Sequence, residues 1–184
     1  MVELLTAAVL LVGALGLLNL LLTFGVIRRL RQQAQPLVPP ARPAPPAGAI
    51  AAVGTAPEPF QAQTVDGASL TATDLREWAI VAFFSPDCPP CLEKVPEFGQ
   101  AVRRLGRDRR DVLAVVVTDA DSGEPMVGQL TPVAQVVVEP PDGPVARAFR
   151  VRQMPIMCLL DGAGRVAQIG YDIDHLLTPA TAPV

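Results

Sequence analysis

An uncharged apolar run near the start of the chain constrains its architecture most. It spans residues 4–27, LLTAAVLLVGALGLLNLLLTFGVI. As an α-helix the run would be about 36 Å long, enough to cross the hydrocarbon core of a bilayer. A buried soluble helix rarely lacks charge over such a length. A cleaved signal peptide would begin with basic residues, whereas here basic residues follow the run as RRLR. We therefore predict a single transmembrane helix, within an N-terminal anchor covering residues 1–31.

Proline and alanine dominate the next stretch, residues 32–58, which includes PLVPPARPAPPAGA. Proline lacks the N–H that helices and sheets need, and a high proline density favours extended polyproline II. We therefore predict a semi-rigid linker here. The remaining residues, 59–184, have the length of one ordinary domain.

Net charge and cysteine content exclude some functions and single out two residues. The net charge is −3, so the chain lacks the basic character of a nucleic-acid-binding protein. Two of the three cysteines, Cys88 and Cys91, lie in SPDCPPCLEKVP. With one distant Cys158 and one histidine, they do not form the ligand set of a structural zinc site, and we predict no metal. Cys158 lies in an apolar segment and is either a small buried hydrophobe or a third redox thiol.

Elements of strand and helix character alternate through the domain. A short hairpin is predicted around the turn dipeptide Asp66-Gly67. Unbroken apolar runs predict strands buried on both faces. The predicted strands are 79–84, 112–117, 135–138, 156–160 and 165–170, and the predicted helices are 88–105, 123–133, 144–151 and 174–177. This order predicts an α/β sandwich with a mixed central sheet.

Cys88 and Cys91 lie at the start of the first of these helices. Free N–H groups and the positive end of the helix dipole stabilise a thiolate at that position, and the thiolate is the nucleophile. A permanent disulfide closing so short a loop would add little stability. The spacing therefore favours a redox dithiol that reacts through a mixed disulfide. Pro89 and Pro90 remove two nearby N–H groups and so tune the potential, whereas Asp87 adds a charge that opposes the thiolate.

An apolar stripe supports the helix that follows the cysteines. Its members recur at steps of three and four residues. They are Leu92, Val95, Phe98, Val102 and Leu105.

Several motifs together resemble a known family. They are a strand before the Cys-x-x-Cys, Pro96 five residues after Cys91, and Met154-Pro155 before a strand ending in LLDG. Residues 59–178 resemble the membrane-anchored thioredoxin-like proteins of the TlpA/ResA type. The segment FFSPDCPPC, with the N-terminal anchor, is especially similar to the MauD-type branch. The resemblance implies a thioredoxin-like sandwich.

The resemblance also implies a function and assigns roles. The protein would be a thiol-disulfide oxidoreductase without a cofactor, acting on cysteine-containing protein clients and served by a membrane redox partner as electron donor or acceptor. Cys88 would attack, Cys91 would resolve, and Pro155 would be a cis-proline facing the pair. Residues assigned to substrate binding are Met154, Pro89 and Pro90.

Three positions depart from the family pattern. Asp87 replaces the tryptophan usual before the first cysteine of thioredoxins, and Ala82 replaces their buried acidic residue. Lys94 stands where TlpA/ResA types often have glutamate. The proton acceptor for Cys91 is therefore not identified.

Two other functions are left open. A thioredoxin-fold peroxidase would have proline and threonine before its reactive cysteine, and here Val81 and Ser85 stand at those positions. A copper metallochaperone would use Cys88, Cys91 and a histidine, but His175 is the sole histidine.

Two arguments about the side of the membrane disagree. Arginines follow the apolar run and no Lys or Arg precedes it, which by the positive-inside rule indicates a cytoplasmic domain. The resemblance indicates an extracytoplasmic domain, where disulfides form and persist. We predict a single-pass protein of the cell membrane with its thioredoxin-like domain outside the cytoplasm.

Overall fold

The computed structural model describes residues 45–75, 77–119 and 123–177, and also positions 1, 3, 6, 13, 15 and 16. The predicted transmembrane run, residues 4–27, lies mostly outside this set; its described members, Thr6, Gly13, Leu15 and Gly16, are helical. No helix among the described residues is long and apolar enough to span a membrane. The chain divides into two compact units, Met1–Pro43 and Ala44–Val184, and the strands belong to the second.

A small hairpin forms the first two strands of the domain, as predicted. Strand β1 (Gln61–Gln63) pairs antiparallel with β2 (Ser69–Thr71). Gly67 in the intervening turn has a φ of 83°, which glycine adopts without strain.

Five further strands form the central sheet. They are β3 (Ile80–Phe84), β4 (Val112–Val117), β5 (Gln135–Glu139), β6 (Ile156–Leu160) and β7 (Val166–Gly170). Their order across the sheet is β5-β4-β3-β6-β7. Strands β3, β4 and β5 are parallel, whereas β6 runs antiparallel to β3 and β7 antiparallel to β6. The predicted mixed sheet is confirmed.

Helices cover both faces of this sheet. Helix α1 (Pro89–Leu105), α2 (Glu124–Leu130) and α4 (Ile173–Leu177) contribute to one core cluster. Helix α3 (Pro144–Ala148) and the residues around the hairpin contribute to the other. Because β3, β4 and β6 are buried between two apolar layers, they read as unbroken apolar runs.

The apolar stripe predicted for α1 is partly wrong. Val95, Phe98 and Val102 are buried, but Leu92 and Leu105 are 56% and 39% exposed. Leu92 is one residue beyond the buried Cys91, about 100° round the helix, which turns its side chain away from the sheet. Leu105 is the last residue of α1, before Gly106 ends the helix with a φ of 61°.

The domain begins earlier than the predicted residue 59. Ala49, Ile50 and Ala51, which composition assigns to the linker, are 4–6% exposed and belong to a core cluster. Further along, Gly54 N–H donates to Val166 O, and Val166 N–H donates to Thr55 O. We call residues 49–58 the strap. Small apolar residues among prolines occur both in linkers and in segments packed at the edge of a domain. Composition alone therefore does not tell the two apart.

Candidate active site

Cys88 lies where the central strand β3 passes into α1. The turn Ser85–Asp87 joins the two elements, and Cys88 N–H donates to Ser85 O at 3.3 Å. Cys88 is the N-cap residue of α1 and is half-buried. Pro89 and Pro90 form the first turn, where a missing N–H costs little, and both are exposed. The fold thus presents this thiol at the carboxyl end of a buried strand and the amino end of a helix.

Cys91 lies one turn along α1, directed at Cys88. Both cysteines are free, and their Sγ atoms are 2.6 Å apart, with the Cys91 thiol donating to Cys88. Cys91 has no solvent exposure. Burial, followed by this hydrogen bond, raises the pKa of Cys91 to about 12. The two thiols therefore differ in accessibility, and the pair is close enough to form a disulfide.

The Met154–Pro155 peptide faces the pair and is cis. Cys88 Sγ donates a hydrogen bond to Met154 O at 3.4 Å. Met154 packs against both core clusters, which fixes the loop before β6. The structure thus brings Cys88, Cys91, Met154 and Pro155 together, although the four are distributed over two distant parts of the sequence.

The structure shows what surrounds the three positions that depart from the family pattern. Ala82 is fully buried in β3, and Asp87 is exposed. Lys94 Nζ lies 2.6 Å from Glu97 Oε2, so its charge is paired within α1.

Cys158 lies on the other side of the sheet from Cys91. It belongs to the core cluster that contains α3, whereas Cys91 belongs to the cluster of α1. It is fully buried, and burial raises the pKa of its thiol. Cys158 is thus separate from the Cys88–Cys91 site. Within the described residues, no three His, Cys, Asp or Glu side chains are grouped as metal ligands.

A pocket next to Pro86 and Asp87, just before Cys88 in the chain, has no counterpart among the predictions from sequence. It has a volume of about 200 Å³ and lies between the start of α1 and α2, lined by Pro86, Asp87, Leu92, Pro125 and Met126 among others. The helical period predicts a core position for Leu92, which is instead 56% exposed. Only the placement of α2 against α1 shows that this leucine faces a pocket.

The fold and the site together define a class. A mixed five-stranded sheet with helices on both faces, a Cys-x-x-Cys pair at a helix start and a cis-proline opposite it are the features of a thioredoxin-fold protein with a dithiol site. Residues 53–169 match the model of the AhpC/TSA family, and the chain belongs to that family. No curated protein matches the chain.

Three solved structures illustrate the fold that this chain shares. The thioredoxin domain of a thiol-disulfide oxidoreductase from Bacteroides vulgatus is 16% identical with a TM-score of 0.56, over 68% of this chain and 92% of that one. Mycobacterium tuberculosis DsbF is 24% identical with a TM-score of 0.52, over 60% and 82%. A DsbF homologue from Corynebacterium diphtheriae is 15% identical with a TM-score of 0.53, over 71% and 88%. At these levels of sequence identity, the similarity shows that this chain shares their fold and shows nothing more.

Proposed function

We propose that this protein is a membrane-tethered thiol-disulfide oxidoreductase of the TlpA/ResA type, within the MauD-type branch, that exchanges disulfides with protein clients. The observation that supports this most directly is the Cys88–Cys91 pair facing Met154 and a cis-Pro155. The tether is the apolar run at residues 4–27, and the domain lies outside the cytoplasm.

The reaction is a two-electron exchange. The Cys88 thiolate attacks one sulfur of a client disulfide, forming a mixed disulfide and releasing one client thiolate. Cys91 then loses its proton and attacks the Cys88 sulfur, which forms the Cys88–Cys91 disulfide and releases the second client sulfur. The client gains the two electrons that the protein loses. Of the two protons that the client gains, one comes from Cys91 and the other replaces the proton that Cys88 gave to solvent when its thiolate formed. The reverse sequence oxidises a client, and a membrane redox partner resets the pair.

The environments of the two sulfurs support this division of roles. Cys88 is half-buried and can meet a client, whereas Cys91 has no solvent exposure and can attack only the Cys88 sulfur of the mixed disulfide. The high pKa of Cys91 keeps it protonated until the mixed disulfide forms. The client thiolate released in the first step can take up the proton that Cys91 gives up as it attacks. The pocket beside Asp87 and Leu92 offers room for a client side chain next to the reacting cysteine.

Peroxidase chemistry has less support from the site. Ser85 is buried with its Oγ accepting from Asp87 N–H, and Val81 is fully buried in β3. Among the described residues, Cys88 Sγ contacts Cys91 Sγ and Met154 O, and no arginine donates to it. A peroxidatic cysteine needs such a cation to stabilise its thiolate and polarise the peroxide.

Trapping of mixed disulfides tests the proposal. Cys91→Ser should accumulate mixed disulfides with client proteins in cells, because nothing resolves them, and these should disappear on reduction. Cys88→Ser should form none. Cys158→Ser is the matched control and should behave like the wild type, because Cys158 lies in the opposite core cluster. A Cys91→Ser variant that traps nothing would contradict client disulfide exchange.

A further inference from the structure

The pocket between α1 and α2 has the size of one side chain. Its volume is about 200 Å³, below the roughly 300–1,000 Å³ of pockets that enclose a whole small molecule. Its lining begins at Pro86 and Asp87, in the turn that leads to Cys88, and Val95 and Met126 form its buried part. Because Asp87 and Cys88 are consecutive, a client held at Cys88 places the residues beside its own cysteine next to this opening.

The lining combines an apolar wall with a polar rim. Leu92, on the α1 side, is 56% exposed, and Pro125 lies opposite it at the start of α2. Asp87 and Gln129 add a carboxylate and an amide, and both residues are exposed. An occupant that matches both parts has an aliphatic stem and a polar, cationic end, which is how lysine and arginine side chains are built.

The charge around the pocket also favours a cationic occupant. Asp87, Glu93 and Glu97 lie in the turn and along α1. Lys94 is the one cation between them, and it pairs with Glu97. Glu124 adds an exposed carboxylate at the start of α2. Among the described residues, no cation pairs with Asp87, so its carboxylate is available to a ligand.

We propose that this pocket selects clients whose reactive cysteine is flanked by arginine or lysine. The aliphatic stem of that residue lies against Leu92 and Met126, and its cationic group meets Asp87. The inference rests on the proposed function, since it takes the occupant to be part of a client held at Cys88, and it adds the class of client. Cys88 and Cys91 carry out the exchange for every client, whereas Asp87 and Leu92 discriminate between clients.

Symmetric disulfide dimers of a short peptide test the proposal. Each peptide carries one cysteine flanked on both sides by arginine, by citrulline or by glycine, and citrulline has the stem of arginine without its charge. The reduced full-length chain is mixed with each dimer at neutral pH, and release of free peptide gives the rate. We expect arginine to exceed citrulline by about threefold, the scale of an exposed ion pair. Citrulline should exceed glycine by about threefold, because its stem covers apolar area.

The charge is tested by a pair of variants. Asp87→Asn should bring the arginine-to-citrulline ratio to about one. Glu93→Gln is the matched control, because it removes an exposed carboxylate of α1 that does not line the pocket, and it should keep the wild-type ratio. A change in the reactivity of the cysteines themselves alters the rates of all three peptides by the same factor, so it cancels in these ratios.

The apolar wall is tested by a second pair. Leu92→Ala should lower the citrulline-to-glycine ratio towards one. Leu105→Ala should leave that ratio unchanged, since Leu105 is the other exposed leucine of α1 and lies at the far end of the helix from Cys88.

The outcomes separate this proposal from the proposed function. Equal rates for the three dimers with the wild type would overturn the pocket's role and leave disulfide exchange standing. So would an effect of Glu93→Gln on the arginine-to-citrulline ratio as large as that of Asp87→Asn. A wild type that reduces none of the dimers would overturn the proposed function, and this inference with it.

Discussion

Two cysteines three residues apart occupy opposite environments, and this contrast determines what each can do. The sequence predicted the helix start that makes Cys88 a nucleophile, because a Cys-x-x-Cys after a buried strand is a local pattern. How deeply Cys91 is buried depends on how α1 lies on the sheet. The family resemblance placed Pro155 opposite the pair, and the structure adds the hydrogen bond from Cys88 to the Met154 carbonyl, which joins residues 66 positions apart.

Alkylation at neutral pH should distinguish the three thiols. Burial raises the pKa of Cys91 to about 12, so this thiol is protonated at pH 7, and burial also protects Cys158. We expect iodoacetamide to give one adduct on the reduced native protein, at Cys88, with Cys91 slower by roughly 100-fold or more, because the thiolate is the reacting form. Peptide mass spectrometry locates the adduct. Cys88→Ser should give none over the same period, and early modification of Cys91 would contradict the assignment.

Glu139 is a buried carboxylate that no sequence pattern singled out. Its two oxygens accept from Val145 N–H and Ala146 N–H at the start of α3. Burial nevertheless raises the pKa of Glu139 above its ordinary value of 4.5, because desolvation outweighs these bonds and the charge of Arg147. Ionisation thus costs free energy in the folded state. The stabilising contribution is complete below about pH 4.5 and is lost as pH rises through the raised pKa.

The variant Glu139→Gln isolates this pH dependence, since glutamine does not ionise. We expect the free energy of unfolding of Glu139→Gln, relative to that of the wild type, to become more favourable as pH rises from about 4 to 8. Urea unfolding at several pH values measures the difference. A difference that stays constant over this range would show that Glu139 keeps an ordinary pKa.

At the scale of elements, the sequence predicted the bounds of helices and strands best where a single local rule decides them. Strand β4 was predicted residue for residue, because a strand buried on both faces is an unbroken apolar run. The end of α1 was predicted from Gly106, which adopts the left-handed conformation there. Trp78 and Arg150 have positive φ values that their residue types disfavour, and only tertiary contacts hold such conformations.

The start of α3 depends on a close approach that only glycine permits. A Cβ on Gly143 would lie 2.4 Å from Glu139 Cδ and 2.6 Å from Glu139 Cβ. We expect Gly143→Ala to destabilise the fold by about 2 kcal/mol, because both the carboxylate and the strand below it must shift. Thermal or urea unfolding measures the change.

Gly99 supplies the control for this substitution. It lies inside α1, and a Cβ there would meet nothing within 4 Å. Gly99→Ala should therefore stabilise the fold by about 0.5–1 kcal/mol through helix propensity. If both substitutions destabilise equally, the approach of Glu139 to Gly143 is not the cause.

At the scale of the whole molecule, the sequence predicted the architecture better than it predicted the boundary. The mixed sheet between two helical layers follows from the order of elements along the chain. The strap does not, since its buried residues are alanine and isoleucine in a segment rich in proline. Whether a short apolar segment packs depends on whether the rest of the fold offers it a surface. Here Phe149 and the loop before β6 provide that surface.

The side of the membrane is where the sequence arguments disagree, and thiol labelling of intact cells expressing the full chain decides between them. A membrane-impermeant maleimide should label Cys88 if the domain is extracytoplasmic. Labelling without reductant would indicate a pair kept reduced, and labelling only after reduction a pair kept oxidised. Cys158 is an internal control, because a fully buried thiol should label only in unfolded protein. The double variant Cys88→Ser/Cys91→Ser retains Cys158 alone and measures that background. If Cys88 labels only after lysis, the arginines after the apolar run indicated the side correctly, and the extracytoplasmic placement is wrong.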